Sequence, residues 1–276
     1  MPHLTQKRAL YRALALLLPL CFITALAAFV AMSKRQADLN RQLGQSIREC
    51  KLDTALILLK QGANPDACDA YPQQVDLWSV VQRWFRRDEE KPTASSSGLY
   101  QLLDSDQRCE CSTEQLKAVV TALIDRGADV NVTSEDGFTP LYLSLQGPST
   151  EITRLLVERG ANPNLACSGR TPLVQAAGWS EPEDVRLLLD AGADIDWQDA
   201  EGDTALMYAV GNGREENVEA LLEWHPNVNL RNYQGETALQ RALSAMKSRT
   251  LTPFHAMDDD EWKPIVAMLK KRGGKP

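Results

Sequence analysis

Apolar positions between residues 139 and 224 come in paired short runs separated by turn residues. "TPLYLSL", "TPLVQAA" and "TALMYAV" each open on a Thr, and each is followed by a second run: "ITRLLVERG" (152–160), "VRLLLDAG" (185–192) and "VEALLEW" (218–224). In the second runs the apolar residues return at three- and four-residue steps, the spacing of one face of a helix. Gly127, Gly160 and Gly192 recur every 32 to 33 residues, as do Thr139, Thr171, Thr204 and Thr237. One unit therefore reads as turn, helix, loop, helix, turn. Neither helix is long enough to bury a full apolar face alone, so adjacent units must stack and share a core. The expected fold class is all-α, a solenoid of about six helix-turn-helix units.

The Thr positions carry a family signature. Thr139-Pro140-Leu141 and Thr171-Pro172-Leu173, with Thr204-Ala205-Leu206 and Thr237-Ala238-Leu239, each lead to a small residue: Ser144, Ala176, Ala209 or Ala242. The pattern resembles the Thr-Pro-Leu-His-x-Ala signature of the ankyrin-repeat family, with the resemblance covering residues 36–274 and densest over 127–246. A Thr caps the first helix, and Pro after it sacrifices no intrahelical bond. Gly after the second helix suits a left-handed C-cap. At the signature's His position stand Tyr142, Val174, Met207 and Gln240, so the family's side-chain hydrogen bonding there should be missing or replaced. The resemblance implies a concave protein-binding surface. Its turn tips would present Phe138, Arg170, Asp203 and Glu236, with Trp197 and Tyr233 in the preceding turns. Its first helices would present Leu143, Gln175, Tyr208 and Arg241. Trp179 would lie between two helices, beside a capping-box pair, Ser180 and Glu183. Trp, Tyr and Arg dominate interface energies, although each of these residues can equally serve packing.

The chain's beginning has a different pattern. Residues 13–32, "ALALLLPLCFITALAAFVAM", hold no charge and are about one bilayer span long. They follow a short basic tail (1–12) and predict an uncleaved transmembrane anchor, a signal-anchor, that makes this a membrane-tethered relative of the bacterial kind. The rival reading is a cleaved signal peptide with Ala25-Leu26-Ala27 as its small-residue site; Lys34 and Arg35 just after the run favour the anchor. Basic residues flank both ends, so the positive-inside rule does not orient it. A short basic tail kept inside places the repeats in the periplasm of a double-membraned bacterium, the cytoplasmic orientation being the alternative.

Between anchor and regular repeats, residues 36–49 show helical spacing through Leu39, Leu43 and Ile47 and predict an N-terminal cap. Irregular insertions are expected at 67–111 and 247–260. The second unit's first helix should fall in 74–85 or 97–106, and Ser112 with Gln115 forms a capping-box pattern before its second helix. Trp78, Trp84 and Phe85 either pack that unit or anchor a partner. The last unit's Asp258, Asp259 and Asp260 suit a helix start rather than a metal site. Cys50 with Cys68, or Cys68 with Cys109 or Cys111, could form a disulfide in an oxidising compartment; plain thiols are the alternative. Cys109-x-Cys111 lacks metal-knuckle spacing, and His3, His225 and His255 do not cluster near it. His225, after Trp224, replaces the usual Gly and reads as a C-cap substitute.

The net charge is −7, and residues 36–276 hold 25 basic against 37 acidic residues, or −12. Such a surface argues against sequence-independent nucleic-acid binding. The chain lacks a His-Glu-x-x-His motif, a Gly-x-Ser-x-Gly elbow and a phosphate loop with Lys. No catalytic residue, metal or cofactor is expected, and the repeat domain reads as a monomer. The expected role is binding another protein, as an envelope scaffold or as an immunity-type inhibitor of a toxic envelope-directed enzyme. A small enzyme or metal-handling protein built on Cys109, Cys111, His225 and His255 is the reading from a different class.

Overall fold

The computed structural model describes residues 28, 30–67, 97–104, 112–134, 137–147, 149–249 and 262–276. Among these the chain is helical, without a strand. Helix α1 (30–48) pairs with α2 (Leu52–Lys60), and a 3-10 turn, Pro65–Ala67, follows. Next come α3 (Gly98–Asp104) with α4 (Thr113–Asp125), and α5 (Pro140–Ser144) with α6 (Thr150–Glu158). The pairs α7 (Pro172–Trp179) with α8 (Pro182–Asp190), α9 (Ala205–Gly211) with α10 (Glu215–Glu223), and α11 (Ala238–Arg249) with α12 (Trp262–Lys271) complete the order.

First helices stack on first helices, α3 on α5, α5 on α7, α7 on α9 and α9 on α11. Second helices do the same from α2 through α4, α6, α8 and α10 to α12. The product is two parallel rows with one continuous apolar core from Leu43 to Leu269. In the second row the buried residues repeat at helical steps: Ile152, Leu155 and Leu156 in α6, Val185, Leu188 and Leu189 in α8, Val218, Leu221 and Leu222 in α10. Helices of five to nine residues would not persist in isolation. Their stability comes from neighbours on both sides.

The expected caps form. Thr139, Thr171 and Thr204 accept hydrogen bonds through Oγ1 from the amides of Tyr142, Val174 and Met207. Ser112 and Gln115 make the reciprocal capping box. Gly127, Gly160 and Gly192 follow their helices at φ 94, 87 and 86, and His225 holds the equivalent place at φ 56. Its Nδ1 lies 2.9 Å from Arg272 Nη1. The family's His position is buried here as Tyr142, Val174 and Met207; apolar packing replaces the side-chain bonding at Val174 and Met207, while the Tyr142 hydroxyl donates to Gln175. In the last pair Gln240 at that position accepts from the Thr237 amide, 2.9 Å, and Thr237 Oγ1 accepts from the Gln240 amide, 3.2 Å.

A side-chain ladder ties successive pairs together. Asn131 Oδ1 accepts from the Asn162 amide, Asn164 Oδ1 from Asp194, Asp196 Oδ1 from Asn227, and Asn229 Oδ1 from Lys275, at 2.8 to 2.9 Å. The three asparagines also donate through Nδ2 to the carbonyls of Gly160, Gly192 and Gly273. At the chain's start α1 supplies both bonds itself: Asn40 Oδ1 accepts from the Asn64 amide and Gln36 Nε2 donates to the Gly62 carbonyl. The N-terminal cap thus imitates a preceding unit.

Several expectations change. Ser180 and Glu183 do not form a capping box. Pro182 opens α8 behind Glu181, which makes no side-chain cap bond. The Ser180 hydroxyl instead donates to the Leu145 carbonyl, and Glu183 pairs with Arg154. Trp179 ends α7 rather than lying between helices. Helix α11 runs to Arg249, into the insertion expected from 247. Of the two candidates for the second unit's first helix, 97–106 contains α3, which packs on α4 and α5; 74–85 lies outside the described residues. The end of the apolar run belongs to α1, which continues unbroken through Lys34 and Arg35. Residues 13–27 lie outside the described residues, and among those described no helix is long and apolar enough to cross a membrane. Cys50 is disulfide-bonded; Cys21, Cys68, Cys109 and Cys111 lie outside the described residues. Cys167 is buried and is not in a disulfide. Trp78, Trp84, Phe85, His255 and Asp258 to Asp260 also lie outside the described residues.

Candidate functional site

The turns before the first helices are built from short polar side chains. Ser134 Oγ accepts from the Phe138 amide, Asp199 Oδ1 from the amides of Glu201 and Asp203, and Asn232 Oδ1 from those of Gln234 and Glu236. The turn before α7 differs. Cys167 and Arg170 exchange both backbone bonds at 2.8 Å around Ser168 (φ 47) and Gly169 (φ 81). Two positive φ values between a narrow pair make the type I′ geometry of tight hairpins. Arg170 therefore leaves a rigid turn.

Its guanidinium lies 5.2 Å over the Tyr208 ring, at cation–π distance. Trp179 flanks the same ring, with centroids 5.8 Å apart and planes tilted by 51°. Gly178 lies against the helix that carries Tyr208: a Cβ there would stand 2.9 Å from Asn212 Nδ2, which donates to the Gly178 carbonyl. The Tyr208 hydroxyl donates to Asp199 Oδ2 at 2.7 Å. Burial, and then this bond to a carboxylate, push the phenol up to about 12. In α5 Tyr142 donates to Gln175 Oε1 at 2.9 Å and meets Phe138 edge-on; burial raises its phenol too. In the turn before α9 Asp203 accepts from Asn232 Nδ2 at 2.9 Å and from Arg241 Nη2 at 2.8 Å.

The eleven residues expected on this surface are therefore unequal. Trp179 (51 %), Trp197 (37 %) and Tyr233 (79 %) are exposed. Phe138, Arg170, Gln175, Tyr208, Glu236 and Arg241 are half-buried. Leu143 and Asp203 are buried: Leu143 packs with Tyr100 and Val132 because α3 covers it, and Asp203 organises the turn beside Arg241. The structure brings Arg170, Gln175, Trp179 and Tyr208 onto one face, and Asp203 and Arg241 adjoin it. Tyr142, Asp199 and Asn232 join the site without having been singled out. Asp199 and Asn232 carried a signal: a short polar residue three before Gly, as in Ser134 to Gly137, Asp199 to Gly202 and Asn232 to Gly235, is turn chemistry.

Charge is divided between the rows. Helices α5, α7 and α9 contain no charged residue, whereas α6, α8 and α10 hold nine acidic against two basic ones. Chemically the first-helix face offers aromatic surface, hydrogen-bond donors and a cation. Among the described residues no three His, Cys, Asp or Glu side chains converge as a metal site would require.

The family model described as ankyrin repeats (3 copies) matches residues 109–199 and 185–251. A putative ankyrin repeat protein of Rickettsia bellii is 39 % identical over 89 residues, 30 % of this chain and 25 % of that protein. A putative ankyrin repeat-containing protein of Treponema pallidum is 39 % identical over 82 residues, 29 % of this chain and 28 % of its own length. The human ankyrin repeat and SOCS box protein 16 is 40 % identical over 95 residues, 34 % and 21 % of the two chains. The match thus spans under a third of each relative, and what it shares with them is the repeat.

Proposed function

Because the chain belongs to the ankyrin-repeat family, a family of protein-interaction modules, we propose that it is a membrane-tethered scaffold whose six helix pairs bind one partner protein on the first-helix face. The observation that carries this reading is the division of the surface. One row is acidic and laced with its own ion pairs, while the other exposes Trp179 beside Tyr208 and Arg170, with Tyr233 at a neighbouring tip. Exposed aromatics beside Arg are the chemistry of interface hot spots. The anchor rests on the uncharged run from 13 to 32, and the Cys50 disulfide supports an oxidising compartment such as the periplasm.

Photo-crosslinking side chains placed at Trp179 and Tyr233, and at Glu158 and Asp190 on the opposite row, test the reading in native membranes. One protein adduct shared by the first two positions and absent from the second two is expected. Equal labelling at all four would remove the assigned face. For the tether, removal of residues 1–35 should release the protein from washed membranes; full-length protein found in the soluble fraction without detergent would overturn it.

A further inference from the structure

Arg170 is alone among its kind. Every other arginine described between 112 and 246 donates to a carboxylate or a carbonyl: Arg126 to Lys60, Arg154 to Glu183, Arg159 to Asp125, Arg186 to Glu223, Arg214 to Ser180, Arg231 to Gly235 and Arg241 to Asp203. The Arg170 guanidinium has no hydrogen-bond or ion-pair partner among the described residues, only the Tyr208 ring beneath it. Stacking uses the flat face of a guanidinium and leaves the N–H fork at its edge available for a bidentate carboxylate.

Of the described acids on this face, Asp199 and Asp203 are already engaged. Asp199 accepts two turn amides and the Tyr208 hydroxyl, and Asp203 accepts from Asn232 and Arg241. Gln175, which accepts from Tyr142 through Oε1, keeps its Nε2 donor without a partner among the described residues. Trp179, one helical turn beyond Gln175, adds half-exposed aromatic surface. Helices α5, α7 and α9 carry no negative charge to repel an incoming anion, and the acids of the second row are screened beyond about 8 Å at physiological salt.

We propose that this face recognises an acidic segment of its partner, with an Asp or Glu side chain on Arg170 and Gln175 and an adjacent apolar side chain on Trp179. The assignment rests on the protein-binding reading above and specifies the chemistry of what is bound. Despite a net charge of −7, the site would be anion-selective.

The test selects binders for the detergent-solubilised full chain from a random peptide library displayed on phage, at physiological salt. Binders displaced by Trp179→Ala should carry an acidic residue next to an apolar one. Replacing that acidic residue by its amide in a synthetic peptide should weaken binding about tenfold, the size of one charge-assisted contact. Arg170→Gln should cause the same loss with the acidic peptide and none with the amide peptide, its melting curve confirming the fold. Binders that require Trp179 but show no acidic enrichment, or an acidic peptide indifferent to its own amide replacement, would overturn the carboxylate site and leave the protein-binding face standing. A selected set indifferent to both Trp179→Ala and Arg170→Gln would remove the face as well. The peptide-side replacement keeps the test decisive even if Arg170→Gln fails to fold.

Discussion

The first-helix row and the second-helix row are built from helices of similar length, yet their sequences obey different rules. In α7 and α9 nearly every position is buried, because each helix has a neighbour on either side and the second row behind it. Only Gln175, Trp179, Tyr208 and Gly211 escape. In α6, α8 and α10 one stripe is buried and the rest is water-facing and acidic. The lesson concerns where selection for binding can act. Helices α7 and α9 have about one open position per turn, and those positions hold Gln, Trp, Tyr and Gly.

If that contrast is right, the largest effect belongs to the buried positions of the first row. Leu206 in α9 is 2 % exposed and contacts the core between α7 and α11. Leu206→Ala should lower stability by about 2 to 4 kcal/mol, from lost transfer energy and the cavity left behind, read as a shift in the urea midpoint. Trp197→Ala, at an exposed tip, should move that midpoint far less. Equal shifts would show Trp197 to be a packing residue and dissolve the division of roles.

The seam between the rows should come next. Asn217 is 1 % exposed and donates through Nδ2 to the carbonyls of Ala176, Ala177 and Ser180 at the end of α7. Asn217→Ala leaves buried carbonyls unsatisfied and should cost about 1 to 3 kcal/mol. Asn217→Asp keeps the shape without the donor. A melt unchanged by either would mean that packing alone joins the rows.

Much of this architecture was legible beforehand, and the failures have a common cause. Periodic Gly and Thr reported the caps faithfully, because a left-handed φ and an orphan amide are local demands of the backbone. Burial by a neighbouring unit is not local. Leu143 and Asp203 sit where the pattern presents residues outward, yet α3 covers one and the Asn232–Arg241 arrangement encloses the other. Ser180 had the spacing of a cap, but Pro182 set the helix start and the Leu145 carbonyl competed for its hydroxyl. That Arg170 stacks on Tyr208 while Asp199 takes the Tyr208 hydroxyl is a matter of side-chain geometry across two units that spacing does not encode.

The Tyr208 hydroxyl sharpens the comparison at the open edge of the first row. Tyr208→Phe removes the bond to Asp199 and should cost about 1 kcal/mol near neutral pH. The phenol is held at about 12, above its ordinary 10.0. A raised value means that the unfolded chain loses this proton first, so the stabilisation is complete below pH 10 and is lost as pH climbs through 12. The wild-type advantage over Tyr208→Phe should shrink across that window. An advantage constant to pH 12 would show that the hydroxyl's bond does not stabilise the fold.

Smaller still is the effect at Asp184, which interrupts the rule that second-row residues facing inward are apolar. It is 6 % exposed, and burial raises its carboxyl above the usual range. A raised carboxyl disfavours the fold once charged: its contribution is best below the unfolded value near 3.8 and declines as pH rises through the folded one. Asp184→Asn should therefore gain less than about 1 kcal/mol at pH 7, with the gain disappearing as pH falls towards 4. A loss at neutral pH would mean that the charge at the α8 N-terminus outweighs its burial.

The least effect belongs to the second row's outward ion pairs. Arg154 and Glu183 bridge α6 to α8 with 41 % and 64 % of their side chains exposed, and Arg186 with Glu223 continues the series to α10. Each pair holds two long side chains in one geometry while water and salt screen the attraction. Arg154→Ala should change stability by less than about 0.5 kcal/mol, and a high-salt melt should erase even that. Arg241→Ala makes the informative companion, since its pair with Asp203 is only 23 % and 11 % exposed. Removing that partner strands a buried carboxylate and should cost more, with little relief from salt. If the two substitutions cost the same and respond alike to salt, the rows do not differ electrostatically. The open face around Arg170 would then be no better suited to hold a carboxylate than the acidic row behind it.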